Sequence, residues 1–368
     1  MTIVPVPLGE RAYEVRIGHF DAGEIASRIA AAAAAGKPSG VAVLVDETVG
    51  ARSPRVAPLV AALAARLPNV QRYDLPGGEA CKSLGQLQRT LEWMAGRGFD
   101  RGALVVGIGG GAAGDHAGFA AAVYLRGVAF ALCPTTLLAM VDASVGGKTA
   151  VDLDAGKNLV GAFHQPCAVV ADLGFLETLP ARERVAGLAE VVKCGLIADA
   201  ALLDTLEADA VALSATHDAP GLEAVIAAAV RIKADVVTED EREAGRRAIL
   251  NFGHTVGHAV EAASGYGLLH GEAVSLGMVA ALSLGVSLGI SPPALRDRSR
   301  ALLERLGLPV DVERRLDAAT LARIDVDKKR RGAAVRFVFV SAPGATRFAD
   351  VPLEELRARL LAAGAAAP

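Results

Sequence analysis

The segment that most narrows the folds open to this chain is Ala103-Leu-Val-Val-Gly-Ile108, which runs into Gly109-Gly-Gly-Ala-Ala-Gly-Asp115 and then the helical pattern Ala117–Leu125. An apolar strand feeding a glycine turn and a helix is the opening half of a βαβ unit, and such units build parallel sheets. The same rhythm recurs at Val41–Val45 before an Ala/Leu-rich segment, at Val128–Leu132, and at Ala168–Asp172, where a carboxylate meets the loop. From Pro180 the apolar spacing turns helical, at Arg182–Ile197, Ala200–Leu213, Leu222–Val236, Ala248–Ser264 and Glu272–Leu288. The expectation is an α/β nucleotide-binding domain with a parallel sheet over 1–179 and a mainly α-helical domain over 180–368. The run Ala334–Val340, after a turn at Gly332, is expected to form a late hairpin within the second.

At 52% hydrophobic residues the 368-residue chain has apolar material for two cores. Lys+Arg 38 against Asp+Glu 41 leaves a net charge of −3, so no global field draws in nucleic acid or an anionic membrane. The basic run Lys328-Lys-Arg-Arg331 is too short and isolated to change that. Neither partner is expected, and any anion must be gripped by local clusters. Ala273–Leu295 is uncharged and long enough to cross a bilayer, but its four serines, three glycines and Pro292-Pro293 fit a buried helix better. Cys81, Cys133, Cys167 and Cys194 are too scattered for a disulfide framework or a paired zinc site, which fits a reducing cytoplasm. The N-terminus, with Glu10 and Arg11 after Pro5 and Pro7, lacks the form of a signal peptide.

Glycines where a strand meets a helix let the backbone approach a pyrophosphate at the helix N-terminus. The spacing here is not Gly-x-Gly-x-x-Gly and no Lys-Ser/Thr follows, so a packed turn is the alternative. Pro76–Lys82, with Glu79 and Lys82, and Pro134-Thr-Thr136 add polar groups at other strand ends, where open α/β sheets bind ligands. Asp142–Lys148 and Gly156-Lys-Asn158 place two lysines and an amide in Gly-rich loops, natural partners for a phosphate. Lys193, Lys233, Arg247 and Arg126 interrupt apolar patterns, whereas Arg182–Arg184 and Glu239–Glu243 read in part as solvated helix starts. Asn251–His258 sets two imidazoles four residues apart, on one face if helical, and His270-Gly-Glu272 follows after a break at Gly265–Gly267. With Glu190 in an apolar helical context, this is the material of a two-His, one-carboxylate zinc site, helix-packing histidines being the alternative. His-Glu-x-x-His is missing, so peptidase chemistry is not indicated. His19, His116, His164 and His217 stand apart and read as structural or surface residues.

From about Asp46 to Lys329 these segments, in order, resemble the 3-dehydroquinate synthase family. The most specific are Gly109–Asp115, Tyr124–Gly127, Pro134–Leu138, Val141–Thr149, Gly156–Asn158, Gly187–Lys193, Leu250–His258 and His270–Glu272. Asp152, His116 and Cys194 depart from the family's commoner residues. The resemblance implies an NAD-binding α/β domain, a helical metal domain, a cleft between them and a homodimer. It assigns the metal, zinc or cobalt, to Glu190, His254 and His270, with His258 as a substrate neighbour. It gives NAD contacts to Asp46, Glu79, Lys82, Gly111, Gly114, Asp115, Thr135, Thr136, Lys148, Lys157 and the turn Phe175, Leu176, Glu177, Thr178. Substrate contacts fall to Asp142, Lys148, Asn158, Lys193, Lys233, Arg247, Asn251, His258 and Lys328 or Lys329, with Arg126 reaching across from a second subunit. Of these, Asp142, Lys148, Lys193, Asn251 and His258 carry the catalysis. The implied reaction turns a seven-carbon sugar acid phosphate into a carbocycle and phosphate. The neighbouring possibilities are 2-epi-5-epi-valiolone synthase, 2-deoxy-scyllo-inosose synthase and a metal-dependent polyol dehydrogenase.

Overall fold

A computed structural model describes residues 1–265, 267–324, 330–331 and 334–365. Its contacts divide the chain into two compact units, Met1–Pro180 with Lys233–Arg242, and Ala181–Ile232 with Glu243–Pro368. The first unit holds strands β1 (Thr2–Val6), β2 (Tyr13–Gly18), β3 (Gly40–Asp46), β4 (Val70–Leu75), β5 (Ala103–Gly109), β6 (Ala129–Pro134), β7 (Lys148–Leu153), β8 (Gly156–Phe163) and β9 (Ala168–Asp172). Its helices are α1 (Ala22–Ala33), α2 (Glu47–Arg52), α3 (Val56–Ala64), α4 (Leu84–Gly96) and α5 (Gly111–Val123). Seven strands form one sheet in the order β1-β2-β9-β6-β5-β3-β4, parallel throughout except for β1 against β2. Every residue of β3 and β5 is buried, as expected of parallel strands covered on both faces. β4 lies outside β3 and β6 outside β5, so the winding reverses between β3 and β5. Beside this point a crevice opens at the carboxyl ends of β5 and β6, the usual ligand position in such sheets. The edge pair β1–β2 had no counterpart in the sequence reading. Pro5 is tolerated in β1 because an edge strand leaves its outer amides unneeded.

Lys148, Lys157 and Asn158, expected in loops, sit instead in strands, because β7 and β8 form an antiparallel hairpin. Gly146 and Gly147, at φ 98° and 64°, turn the chain just before β7. Gly161 is needed because a Cβ there would lie 2.1 Å from the Thr149 carbonyl. Glycines that serve the pairing hid the period-two alternation of these strands.

The second unit is built on α6 (Ala181–Ala198), α7 (Ala200–Ala215), α8 (Leu222–Glu239), α9 (His254–Ala263), α10 (His270–Ser287), α11 (Pro293–Arg305), α12 (Ala318–Ile324) and α13 (Leu353–Ala365), α8 passing into the first unit at Lys233. β10 (Arg330–Arg331), β11 (Ala334–Ala342) and β12 (Ala345–Pro352) form a small antiparallel sheet. The helix expected over Ala248–Ser264 is broken: a 3₁₀ turn, Arg246–Asn251, precedes Gly253 at φ 78°, and α9 starts at His254. Gly253 is forced by packing, since a Cβ would meet Met278 Cγ at 2.8 Å and its amide at 3.0 Å. The acidic run Glu239–Glu243 ends α8 rather than opening a helix, and Glu241 is held by Arg11 at 2.5 Å and Gln165 at 2.9 Å. α10 buries thirteen of its residues, including much of the uncharged stretch. No described helix is long and apolar enough to cross a membrane.

His116 is fully buried in α5 and bonds Thr90 Oγ1 of α4 through Nε2 at 2.9 Å. Burial outweighs its bond to the Cys81 backbone and pushes its pKa down from 6.5 to about 4. The unfolded chain therefore takes up this proton first as pH falls. Stability is full above about 6.5 and is lost between there and pH 4, by about 3 kcal/mol. Denaturant titrations at pH 7, 5.5 and 4 should show the unsubstituted protein losing that much more than His116→Gln. A difference that stays constant across the series would contradict the assignment.

Candidate active site

In the first unit, the turn after β5 brings the glycines of the expected motif to the N-terminus of α5. Gly109, Gly110, Gly111 and Gly114 line a crevice with Pro134 of β6, Ala143 and Ser144. A Cβ on Gly109 would meet Ala113 at 2.6 Å and Asp46 at 2.9 Å, so that glycine serves packing. At Gly114 the nearest atom is Leu132 Cδ2 at 3.7 Å, so a Cβ would fit the protein and intrude only on the crevice. The Thr135 and Ser144 hydroxyls are buried with no partner among the described residues. Two orphaned hydroxyls and a row of glycines at a helix N-terminus suit a bound polar anion.

Around this crevice Asp46 caps α2 through Thr48 and Val49 and accepts from the Gly78 amide at 3.1 Å, tying the ends of β3 and β4 together. Lys82 donates to Asp115 at 2.6 Å and to the Asn158 side-chain oxygen. Burial pushes the Asp115 carboxyl up to about 6 against the pull of Lys82. Asn158, at φ 56°, donates its amide to Asp152 at 2.7 Å. Lys157 lies 3.6 Å from Glu79. Lys233 donates to the Asp142 carbonyl at 2.6 Å and to its carboxylate at 2.5 Å. The Phe175 and Leu176 side chains are buried in the core, leaving Glu177 and Thr178 as the accessible side chains of that turn. Thr136 Oγ1 accepts from the Ala139 amide, Lys148 is exposed at the start of β7, and Arg126 is exposed at φ 72°.

In the second unit, the Gly253 turn sets His254 at the first turn of α9, with His258 one turn on. His270 opens α10, fixed there because Glu272 accepts the Leu269 amide at 2.9 Å and holds Arg182 of α6 with both oxygens. Nitrogens of His254, His258 and His270 lie within 4.8 Å of one another. Glu190 Oε1 on α6 lies 3.6 Å from His254 Nε2 and 3.7 Å from His270 Nε2, and Lys193 closes an ion pair with the same carboxylate. Glu190 and Lys193 are each 1% exposed. Burial opposes charge on His270, but the Glu190 and Glu261 carboxylates outweigh it and raise the pKa to about 9. Three imidazoles, His254 buried, His270 half-buried and His258 exposed, beside a buried carboxylate match the donors of a catalytic zinc or cobalt site that keeps one side open. Arg247 is 2% exposed, and Asn251 donates to Glu243 at 2.7 Å. Lys328 and Lys329 lie outside the described residues.

Several further residues of these surroundings stand out only in the fold. Glu261 meets His270 Nδ1 at 3.2 Å, and its place three residues after His258 on α9 was the available signal. Glu243, at φ 59°, was hidden in an acidic run. Gly271 and Gly277 let helices touch: a Cβ would fall 1.8 Å from the Ala186 carbonyl and 1.9 Å from the Gly253 carbonyl, respectively.

Residues 72–186 match the model of the 3-dehydroquinate synthase N-terminal domain and 187–330 that of its C-terminal domain. The chain is 49% identical to 3-dehydroquinate synthase of Rhodospirillum rubrum over 352 residues, 93% of this chain and 90% of that one. Among solved structures it is similar to 2-deoxy-scyllo-inosose synthase complexed with carbaglucose-6-phosphate, NAD+ and Co2+, with TM-score 0.86, 25% identity and coverage of 98% and 99% of the two chains. It is also similar to 2-epi-5-epi-valiolone synthase from Streptomyces hygroscopicus subsp. jinggangensis with NAD+ and Zn2+, with TM-score 0.83, 30% identity and coverage of 96% and 97%.

Proposed function

The chain belongs to the 3-dehydroquinate synthase family, and from that membership we infer that it converts 3-deoxy-D-arabino-heptulosonate 7-phosphate to 3-dehydroquinate and phosphate. The observation that carries the choice of substrate is the 49% identity to a 3-dehydroquinate synthase, against 25–30% to the solved cyclases with other products. The reaction is an oxidation, a phosphate elimination, a reduction and an intramolecular aldol closure, the work of a carbon-oxygen lyase.

The orphaned hydroxyls and the open Gly114 position support NAD in the crevice of the first unit, with Glu79, Lys82, Asp115, Thr135, Thr136 and Lys157 around it. The donor set supports a divalent ion, zinc or cobalt, held by Glu190, His254 and His270. When bound, the ion supplies Lewis acidity and NAD supplies reversible two-electron oxidation. The protein's own groups grip and orient the substrate. Lys148 and Asn158 serve its phosphate, joined by Arg126 from a second copy of the chain, and Lys233 with Arg247 serve its carboxylate. Arg126 and its neighbour Leu125 are exposed, at φ 72° and 49°, so the Arg126 side chain is open to a partner's site. Lys193 pairs with the buried Glu190 carboxylate and offsets the cost of burying it. Oxidation next to the reacting carbon acidifies its C–H, and the substrate's own phosphate can accept that proton. Asp142, steadied by Lys233, is assigned with His258 and Asn251 to orienting hydroxyls and passing protons. Four free cysteines are consistent with a cytoplasmic enzyme.

Given the heptulosonate phosphate with NAD far below the substrate concentration, the protein should release phosphate and 3-dehydroquinate in equal amounts with no net NADH. Stoichiometric NADH would favour a polyol dehydrogenase. Turnover only of a different sugar phosphate, with no carbocycle from the heptulosonate, would favour the other cyclases. Gly114→Ala tests the crevice: thermal stability should stay near that of the unsubstituted protein, while NAD affinity measured by calorimetry falls about tenfold or more, ~1.4 kcal/mol. Unchanged affinity would place NAD elsewhere.

A further inference from the structure

Glu261 has no part in the chemistry described above, yet it is a carboxylate only 6% exposed, in contact with a proposed metal ligand. His254, His258 and Glu261 follow one another on α9 at i, i+4 and i+7, so all three share a helix face. Across that face His270, the first residue of α10, places Nδ1 3.2 Å from Glu261 Oε2 and Nε2 3.7 Å from Glu190 Oε1. His254 shows the same polarity with another acceptor, its Nδ1 lying 3.1 Å from the Phe252 carbonyl and its Nε2 3.6 Å from Glu190 Oε1. Each ring thus has an acceptor behind Nδ1 and turns Nε2 toward the same carboxylate oxygen. The acceptors differ in kind: His254 has a neutral carbonyl and His270 an anion.

We propose that Glu261 is a positioning residue for the metal site, accepting the Nδ1 hydrogen bond of His270 so that Nε2 is the nitrogen aimed at the ion beside Glu190. This rests on the assignment of Glu190, His254 and His270 as ligands. A carboxylate behind a ligating imidazole fixes the tautomer and ring orientation and raises its basicity, and losing such a partner weakens metal binding by about ten- to a hundredfold. The carbonyl behind His254 orients that ring without a full negative charge, so His270 is the stronger donor of the two. The geometry at His270 also depends on where α10 begins, which the Leu269–Glu272 bond fixes.

The test measures zinc affinity by competition with a chromophoric chelator, and the visible absorption of the cobalt-loaded protein, in full-length Glu261→Gln and Glu261→Leu. Glu261→Gln keeps the shape and can still accept the Nδ1 proton, but as a neutral group. It should weaken zinc about tenfold and shift the cobalt bands, and Glu261→Leu should weaken it about a hundredfold. NAD affinity should remain within twofold in both, which a general loss of structure would not allow. If Glu261→Leu fails to fold, the isosteric Gln variant decides. Zinc affinity within threefold of the unsubstituted protein, with an unshifted cobalt spectrum in Glu261→Gln, overturns the proposal. His254→Ala is run alongside as the control on the ligand assignment: if it keeps full zinc affinity, the site itself is misassigned.

Discussion

Replacing His270 by alanine should yield a protein that folds, binds NAD, holds no stoichiometric divalent ion and turns over about a thousandfold more slowly or worse. The Glu190 carboxylate faces His254 Nε2 at 3.6 Å and His270 Nε2 at 3.7 Å, and removing one imidazole opens that set on the α10 side. Lewis-acid stabilisation of developing charge contributes several kcal/mol, and each 1.36 kcal/mol is a factor of ten in rate. His270 also leaves Glu261 behind as a buried carboxylate without that partner, which adds a stability cost of about 1–3 kcal/mol. Metal analysis by mass spectrometry beside steady-state kinetics reads both effects. His254→Ala should behave in the same way, and full metal occupancy in either variant would remove that residue from the ligand set.

Gly271→Ala should be nearly as damaging although it touches no ligand. Its Cβ would sit 1.8 Å from the Ala186 carbonyl, inside the 3.0 Å that real Cβ atoms keep, and the obstacle is backbone that cannot rotate away. α10 must therefore back away from α6 by about an ångström. Ala186 lies one turn before Glu190 on α6, and Gly271 directly follows His270, so this movement separates the carboxylate from the imidazole. Overpacking of this kind costs about 1–3 kcal/mol of stability. A ligand set loosened by an ångström loses its working geometry, so zinc affinity should drop by more than about tenfold. Thermal unfolding of the metal-free protein and chelator competition separate the two effects. Normal values in both would mean that the helices are not held at this spacing.

The polarity of the chain, a parallel-sheet unit followed by helices, was legible because burial writes itself into local spacing. Val41–Val45 and Ala103–Ile108 are continuous apolar runs because β3 and β5 are covered on both faces. Arg182–Ile197 and Glu272–Leu288 repeat at helical spacing because α6 and α10 each pack around an apolar interior. Family membership was legible for a related reason: ligand-contacting turns such as Gly109–Asp115 and Asn251–His258 are contiguous, and their residues stand side by side in the chain. Period-two signals failed at β7 and β8, where Gly146, Gly147 and Gly161 serve turns and close pairing and left no apolar alternation to read.

What the sequence determined by itself was the type of the longer buried elements and the kinds of group available, two histidines on one helix face and glycines at a strand end. Tertiary structure alone decided which of those groups meet. The break at Gly253 that makes His254 start a helix is set by Met278, twenty-five positions away, and the Gly271 contact that seats His270 beside Glu190 is set by Ala186. Glu261 could be read as a residue on the face of α9, but its meeting with His270 Nδ1 exists only because the chain turns back between α9 and α10. The same holds for Lys233, which sits in a helical run of the second half and yet binds Asp142 in the first unit. The physical reason is that apolar burial acts along one element and leaves a periodic trace there. A distance between two elements is set by steric contact across the gap, for which neither segment alone carries a record.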